Sequence, residues 1–155
     1  MLKFEQLKSD NDLKEVIKAA FDADLSVSGA WRYTQDLSTV IESAEIPVKQ
    51  LEHMLASMRT YIEMNMTLPE EERYGSINLN EIHREQKQVD ALVYDKVTYE
   101  ITAMKEKTYT AFIKEYKEGL GTESFDITEH FNKRKKATIT RNEAYWFEVH
   151  QTLES

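Results

Sequence analysis

The chain of 155 residues contains no cysteine. This absence excludes a disulfide framework, a cysteine nucleophile, and thiolate ligation of zinc or of an iron–sulfur cluster. No run approaches the roughly 18 apolar residues that a membrane-spanning helix needs. Residues 1–6 also lack the charged and then apolar pattern of a secretory signal. We therefore expect a soluble, cytoplasmic protein.

Glycine and proline are scarce, with four and two copies. A β-sandwich needs a turn signal every 8 to 12 residues or so, and this chain offers too few. Its hydrophobic fraction of 41% is ordinary, so a packed core is expected and disorder is not. The length predicts a single domain over residues 1–155.

The net charge is −8, with 20 Lys and Arg residues against 28 Asp and Glu residues. An acidic surface repels nucleic acid and anionic membranes at long range, unless a local basic patch reverses the sign. We therefore expect no membrane association, and nucleic-acid binding only through such a patch.

Apolar residues at helical spacing predict a first helix over residues 10–24, which Asp10 or Asn11 would cap. A short helix is predicted over residues 34–44. Pro47 suits the first turn of a third helix, because its missing N–H group would be unpaired there in any case. The apolar stripe of this third helix is the clearest in the chain and comprises Val48, Leu51, Met54, Leu55, Met58, Ile62 and Met66.

The run from residue 76 to 118 contains neither glycine nor proline. Apolar residues recur through it mostly at intervals of three, four or seven, which predicts one long helix near residues 79–118 ending at Gly119. About 40 residues at 1.5 Å each would span roughly 60 Å, more than the diameter of about 40 Å expected for this domain. An overhanging apolar stripe would need a partner, so the sequence predicts a homodimer.

A strand near residues 93–101 is the alternative interpretation of the same stretch. Val93, Val97, Tyr99 and Ile101 alternate there with polar residues, and β-branched residues are dense. The lack of strong turn formers at the two ends favours the helix. The predicted fold is therefore all-α, an elongated bundle of five or six helices, with an α+β fold as the alternative.

The C-terminal third carries two possible capping boxes, Asp126 with Glu129 and Thr140 with Glu143. The first predicts a helix through Ile127 and the second a terminal helix. Residues 137–139, between the two helices, are compatible with a strand instead.

Two sets of residues are candidates for binding a partner or a ligand. Trp31, Arg32 and Tyr33 follow a turn signal at Ser28 and Gly29, and Trp, Tyr and Arg are typical of binding hot spots. Arg59 and Glu63 lie four residues apart on the third helix, with Glu52 two turns earlier. They could form a buried ion pair that lines a pocket, but the spacing favours an ordinary surface pair.

One basic cluster could contact phosphates, although no aromatic residues are interleaved with it. Its residues are Lys133, Arg134, Lys135, Lys136 and the nearby Arg141. The same cations would also complement the dipole at the end of a helix.

The four histidines indicate no metal site. No two of them have the short spacing of zinc ligands, and no Glu-x-x-His signature of a di-iron helix bundle occurs. No phosphate-binding glycine loop or nucleophile elbow is present either. We expect no metal or cofactor and no identifiable catalytic residue.

These patterns leave three hypotheses for function. The first is a non-enzymatic helical interaction or regulatory protein that acts as a homodimer. The second is a small-molecule-binding protein or enzyme with a polar pocket between helices, lined by Arg32, His53, Arg59 and Glu63. The third is a nucleic-acid-binding protein that uses residues 133–141.

Overall fold

The computed structural model of the chain describes residues 13–29, 31 and 35–153, which form a five-stranded mixed sheet and four α-helices. The elements in chain order are α1 (Leu13–Phe21), β1 (Val27–Gly29), β2 (Thr39–Ile41), α2 (Val48–Tyr61), β3 (Tyr74–Val89), β4 (Leu92–Lys105), α3 (Glu106–Gly119), α4 (Ile127–Ala137) and β5 (Ile139–Glu148). A π-helical turn, Ile62–Met66, prolongs α2.

The strands lie in the order β1-β2-β5-β4-β3, and only the pairing of β2 with β5 is parallel. The helices α1 and α2 pack on one face of this sheet. Their apolar residues, such as Ile17 and Leu55, share one core with Val97 and Phe147 of the sheet. The helices α3 and α4 form an antiparallel pair that connects the end of β4 to the start of β5.

The prediction of an all-α bundle is wrong. The segment expected to be a helix over residues 79–118 is a long β3–β4 hairpin followed by α3. The hairpin turns at Asp90 and Ala91, and Asp90 adopts a φ of 56°. Aspartate tolerates this left-handed conformation better than most residues, so the chain reverses there without glycine or proline.

The helix prediction failed because the apolar spacing in this segment fits the period of a helix and also that of a strand. Val93, Val97 and Ile101 of β4 recur every four residues, and four residues place side chains on one side of a strand as well as of a helix. In β4 the burial alternates, with Val97, Tyr99 and Ile101 buried and the residues between them partly exposed. The strand considered near residues 93–101 is therefore present.

Two further helix predictions are wrong. Residues 34–44 contain a short 3₁₀ turn, Gln35–Leu37, and then β2. The terminal helix predicted from Thr140 is β5, which is followed by a 3₁₀ turn at His150–Leu153. In both segments, pairing with neighbouring strands outweighed the local preference.

Other helix predictions are confirmed. The helix α1 lies within residues 10–24, although its predicted caps Asp10 and Asn11 lie outside the described residues, and α2 begins directly after Pro47. Of the long helix predicted near residues 79–118, only the end near Gly119 is present, as the end of α3 with Leu120 as its cap. At the start of α4, the Asp126 side chain accepts a hydrogen bond of 3.0 Å from the backbone N–H of Glu129.

The argument for a homodimer loses its premise, because the longest α-helices among the described residues have 14 residues rather than about 40. Within the same part of the chain, no helix has the length and hydrophobicity required to cross a membrane.

Candidate polar ligand site beneath helix α2

Helix α2 and its π-helical turn present three ionisable side chains to the sheet, Glu52, Arg59 and Glu63. Their exposures are 0%, 0% and 1%. The spacings of seven and four residues place them on one stripe of the helix. Buried ionised groups are expensive unless they are paired, so these residues require charged or hydrogen-bonding partners on the sheet.

The sheet supplies those partners from three neighbouring strands. The register pairs Glu81 with Tyr99 and Tyr99 with Glu143, and it likewise aligns Arg84, Val97 and Tyr145. Because residues paired across strands lie on the same face, these rows all face α2. We call the assembly the α2 polar cluster; it comprises Glu52, Arg59, Thr60, Glu63, Glu81, Arg84, Asp95, Tyr99, Arg141, Glu143 and Tyr145.

One end of the cluster, which we call the acid end, comprises Glu52, Glu81, Arg84 and Asp95. The Arg84 guanidinium donates from Nη1 to Glu52 Oε1 at 2.7 Å and to Asp95 Oδ2 at 3.5 Å. It also donates from Nη2 and Nε to Glu81 Oε1, at 2.7 and 3.2 Å. Three carboxyl groups therefore converge on one guanidinium.

The acid end holds a proton near neutral pH. Burial, together with the hydrogen bond between Glu52 and Asp95, raises the pKa of Glu52 to about 8, although Arg84 opposes the shift. The hydrogen bond from Arg84 holds the pKa of Glu81 below its ordinary value. Burial lowers the pKa of Arg84, but its bonds to Glu81 and Glu52 outweigh that effect and raise it. The guanidinium is therefore always charged.

The opposite end of the cluster, which we call the arginine end, comprises Arg59, Glu63, Arg141 and Glu143. Glu63 accepts from Arg59 Nε at 2.9 Å and from Arg141 Nη2 at 3.4 Å, and Arg141 Nη1 also donates to Glu143 at 3.4 Å. Burial raises the pKa of Glu143, and Arg141 partly offsets this effect. Two guanidinium and two carboxyl groups thus nearly balance in charge.

Two buried tyrosines lie between the ends. The rings of Tyr99 and Tyr145 meet edge to face with centroids 5.7 Å apart. The Tyr145 hydroxyl and Thr60 Oγ1 share a hydrogen bond of 2.6 Å. The Tyr99 hydroxyl, by contrast, is buried without a hydrogen-bond partner among the described residues.

The structure brings together several residues that the sequence singled out. Arg59, Glu63 and Glu52 form the helix side of the cluster, so Arg59 and Glu63 are a buried pair rather than a surface pair. The ring of His53 lies against Tyr99 at 5.6 Å, and its Nε2 is 3.1 Å from the Leu79 carbonyl oxygen.

Trp31 is the described residue of the predicted binding loop. Trp31 belongs to the core, with 2% exposure and a φ of 54°, so its indole is not available to a partner at the surface. Arg32 and Tyr33 lie outside the described residues.

The predicted basic cluster is divided. Lys133, Arg134, Lys135 and Lys136 lie in the last turns of α4, where they complement the helix dipole. Arg141 lies instead on β5 and contacts Glu63. Residues 133–141 therefore do not form one continuous basic surface.

Sequence reasoning missed Arg84, Asp95, Tyr99 and Glu143 as site residues. They join the cluster only through strand pairing, and a helical interpretation of residues 79–118 conceals that pairing. The signal that could have found them is the period-two placement of Asp95, Val97, Tyr99 and Ile101, which puts a carboxylate and a phenol on an apolar face.

No group of three or more His, Cys, Asp or Glu residues suited to a metal ion occurs within the described ranges. Comparisons of the chain with protein-family models, with curated proteins and with solved structures found no match.

Proposed function

We propose that this protein binds a small polar molecule in the α2 polar cluster. The observation that carries the proposal is the burial of Glu52, Arg59 and Glu63 beneath α2, against further charged groups from three strands. Among the three hypotheses raised by the sequence, this one corresponds to the polar pocket, with the difference that a sheet forms its second wall.

The energetics support a functional role. A buried ion pair is often no more stabilising than well-packed apolar residues of similar volume. A cluster with three guanidinium and five carboxyl groups therefore does not serve stability best. Its chemistry suits a ligand rich in hydrogen-bonding groups, which would supply a partner to the Tyr99 hydroxyl.

The β3 edge of the sheet is where side chains of the acid end reach solvent. Glu52 is inaccessible, whereas the Arg84 and Glu81 side chains are 18% and 40% exposed. Arg84 therefore separates the buried part of the acid end from solvent, and a ligand would pass this residue to reach Glu52.

The proposal can be tested by NMR titration of the ¹⁵N-labelled protein with four separate probe sets: free amino acids, short amines, dicarboxylates and monosaccharides. We expect at least one set to shift amide resonances of residues 52–63 and 95–99 together. Glu52→Gln and Arg59→Met should weaken that response, whereas Lys133→Gln on α4 should not. If no set shifts these resonances at about 10 mM, a ligand of ordinary millimolar affinity is excluded and the proposal fails.

A further inference from the structure

The Arg84 guanidinium fills the acid end as a ligand would. It reaches inward from β3, the outer strand of the described sheet, and binds Glu52, Asp95 and Glu81 with four donor contacts. Planar cations with several fixed donors match carboxylates in this way better than a point charge does. The acid end is thus already shaped around a guanidinium.

The acid end has hydrogen-bonding capacity that Arg84 does not use. The Tyr99 hydroxyl is buried and has no hydrogen-bond partner among the described residues. Tyr99 lies close enough to Glu52, Arg84 and Glu81 to feel their charges. The Tyr99 hydroxyl is separate from the contacts of Arg84, so the acid end has hydrogen-bonding capacity that one arginine side chain does not use.

We infer that the acid end binds a small organic cation, a guanidine, an amidine or a primary amine, whose charged group replaces that of Arg84. This inference rests on the proposed function and names the class of its ligand. The Arg84 side chain moves out to solvent at the β3 edge when the cation enters.

The carboxyl groups that Arg84 contacts determine the sign of the charge that a replacing ligand must carry. Without its guanidinium, Asp95 would lie beside the buried Glu52 carboxyl without the ion pair that Arg84 provides. A neutral or anionic ligand would leave the buried Asp95 carboxyl without a compensating cation, which is costly. An organic cation restores the balance.

Arg84 then acts as an internal competitor. A ligand that must displace it binds with an affinity reduced by the fraction of molecules in which the site is open. Removing the side chain removes this cost, so Arg84→Ala should bind the cation at least about tenfold more tightly than the wild-type protein.

The experiment uses butylguanidine as the cationic probe and butylurea as its neutral counterpart of nearly the same shape. Titrations followed by NMR or calorimetry would compare the wild-type protein with Arg84→Ala. We expect butylguanidine to bind with the tenfold gain stated above and butylurea to show no binding to either protein.

Two further variants locate the site. Asp95→Asn should weaken butylguanidine binding about tenfold, as expected for loss of a charged hydrogen bond. Glu85→Gln, a change on the opposite face of β3 where the side chain is 41% exposed, should leave binding unchanged. If Arg84→Ala does not fold, Arg84→Gln replaces it in the same titration.

Equal binding of butylurea, no gain from removing Arg84, or insensitivity to Asp95→Asn would overturn the inference. The proposed function fails differently. If sugars or dicarboxylates shift residues 52–63 and butylguanidine does not, the protein binds a small molecule in the cluster but not an organic cation.

Discussion

Glu52 and Arg84 join α2 to β3 through a hydrogen bond of 2.7 Å between residues 32 positions apart in the chain. The Glu52 carboxyl is fully buried, whereas the Arg84 side chain that contacts it is partly exposed to solvent. Because the Glu52 carboxyl also lies against Asp95, its protonation state is coupled to the packing of α2 on the sheet.

The first prediction concerns the pH dependence of stability. The pKa of Glu52 is about 8 in the folded protein, above its ordinary value of 4.5. Between these values the folded state binds more protons than the unfolded state, so the free energy of unfolding falls as the pH rises from about 4.5 to 8. The loss attributable to Glu52 is on the order of 4 kcal/mol, measured by urea denaturation at several pH values.

Glu52→Gln provides the control for this prediction, because glutamine resembles the protonated carboxyl. The variant should match the wild-type protein near pH 5 and be more stable than it at pH 9. Glu85→Gln, on the other face of β3, should retain the wild-type slope. Identical pH profiles for Glu52→Gln and the wild-type protein would show that Glu52 titrates normally.

The second prediction concerns the buried pair of Arg59 and Glu63. Arg59→Met leaves Glu63 with less compensating charge, and we expect it to lower the free energy of unfolding by roughly 3 kcal/mol. The double variant Arg59→Met with Glu63→Leu should lose clearly less than the sum of the two single changes. A double-mutant cycle by urea denaturation measures the difference, and additive losses would contradict the pairing.

The third prediction compares two buried tyrosine hydroxyls. Tyr145→Phe removes the 2.6 Å hydrogen bond with Thr60 and should cost about 1 kcal/mol of stability. Tyr99→Phe removes a hydroxyl that has no hydrogen-bond partner within the described ranges, so its cost should be near zero. Thermal denaturation of the two variants under identical conditions tests the contrast; an equal loss from Tyr99→Phe would indicate a bonded hydroxyl.

The fourth prediction compares two glycines with positive φ. A Cβ at Gly29, where φ is 95°, would lie 2.4 Å from the carbonyl oxygen of Ser38. Gly29→Ala should therefore cost at least about 2 kcal/mol, through backbone strain and a backbone clash. Gly121 has a φ of 89° but no atom within 4 Å of its Cβ position, so Gly121→Ala should cost only about 1 kcal/mol. Equal midpoints of urea denaturation would refute the clash at Gly29.

The helical part of the fold was predictable where local signals agreed. Pro47 and the apolar stripe after it indicated α2, and the side chain of Asp126 marked the start of α4. Arg59 and Glu63 were recognisable as a possible pair because they are neighbours on one helix. Such signals act within a few residues, so the sequence displays them directly.

The sheet was not predictable in the same way. Intervals of four residues from Val93 to Ile101 satisfy a helix and a strand equally, and a turn at Asp90 gives a weaker signal than glycine would. The strand conformation of β4 is stabilised by pairing with β5, which lies about 40 residues further along the chain. That pairing is a long-range interaction that no local pattern contains.

The sequence by itself determined the absence of thiol chemistry, the acidic charge and the helices whose caps and stripes are local. Only the tertiary structure decided which charges meet. Glu52 faces Arg84 and Glu63 faces Arg141 because strand register and helix packing bring distant segments together. Burial at that contact then changes the pKa of Glu52, and neither the contact nor its dielectric environment is a property of a local stretch of sequence.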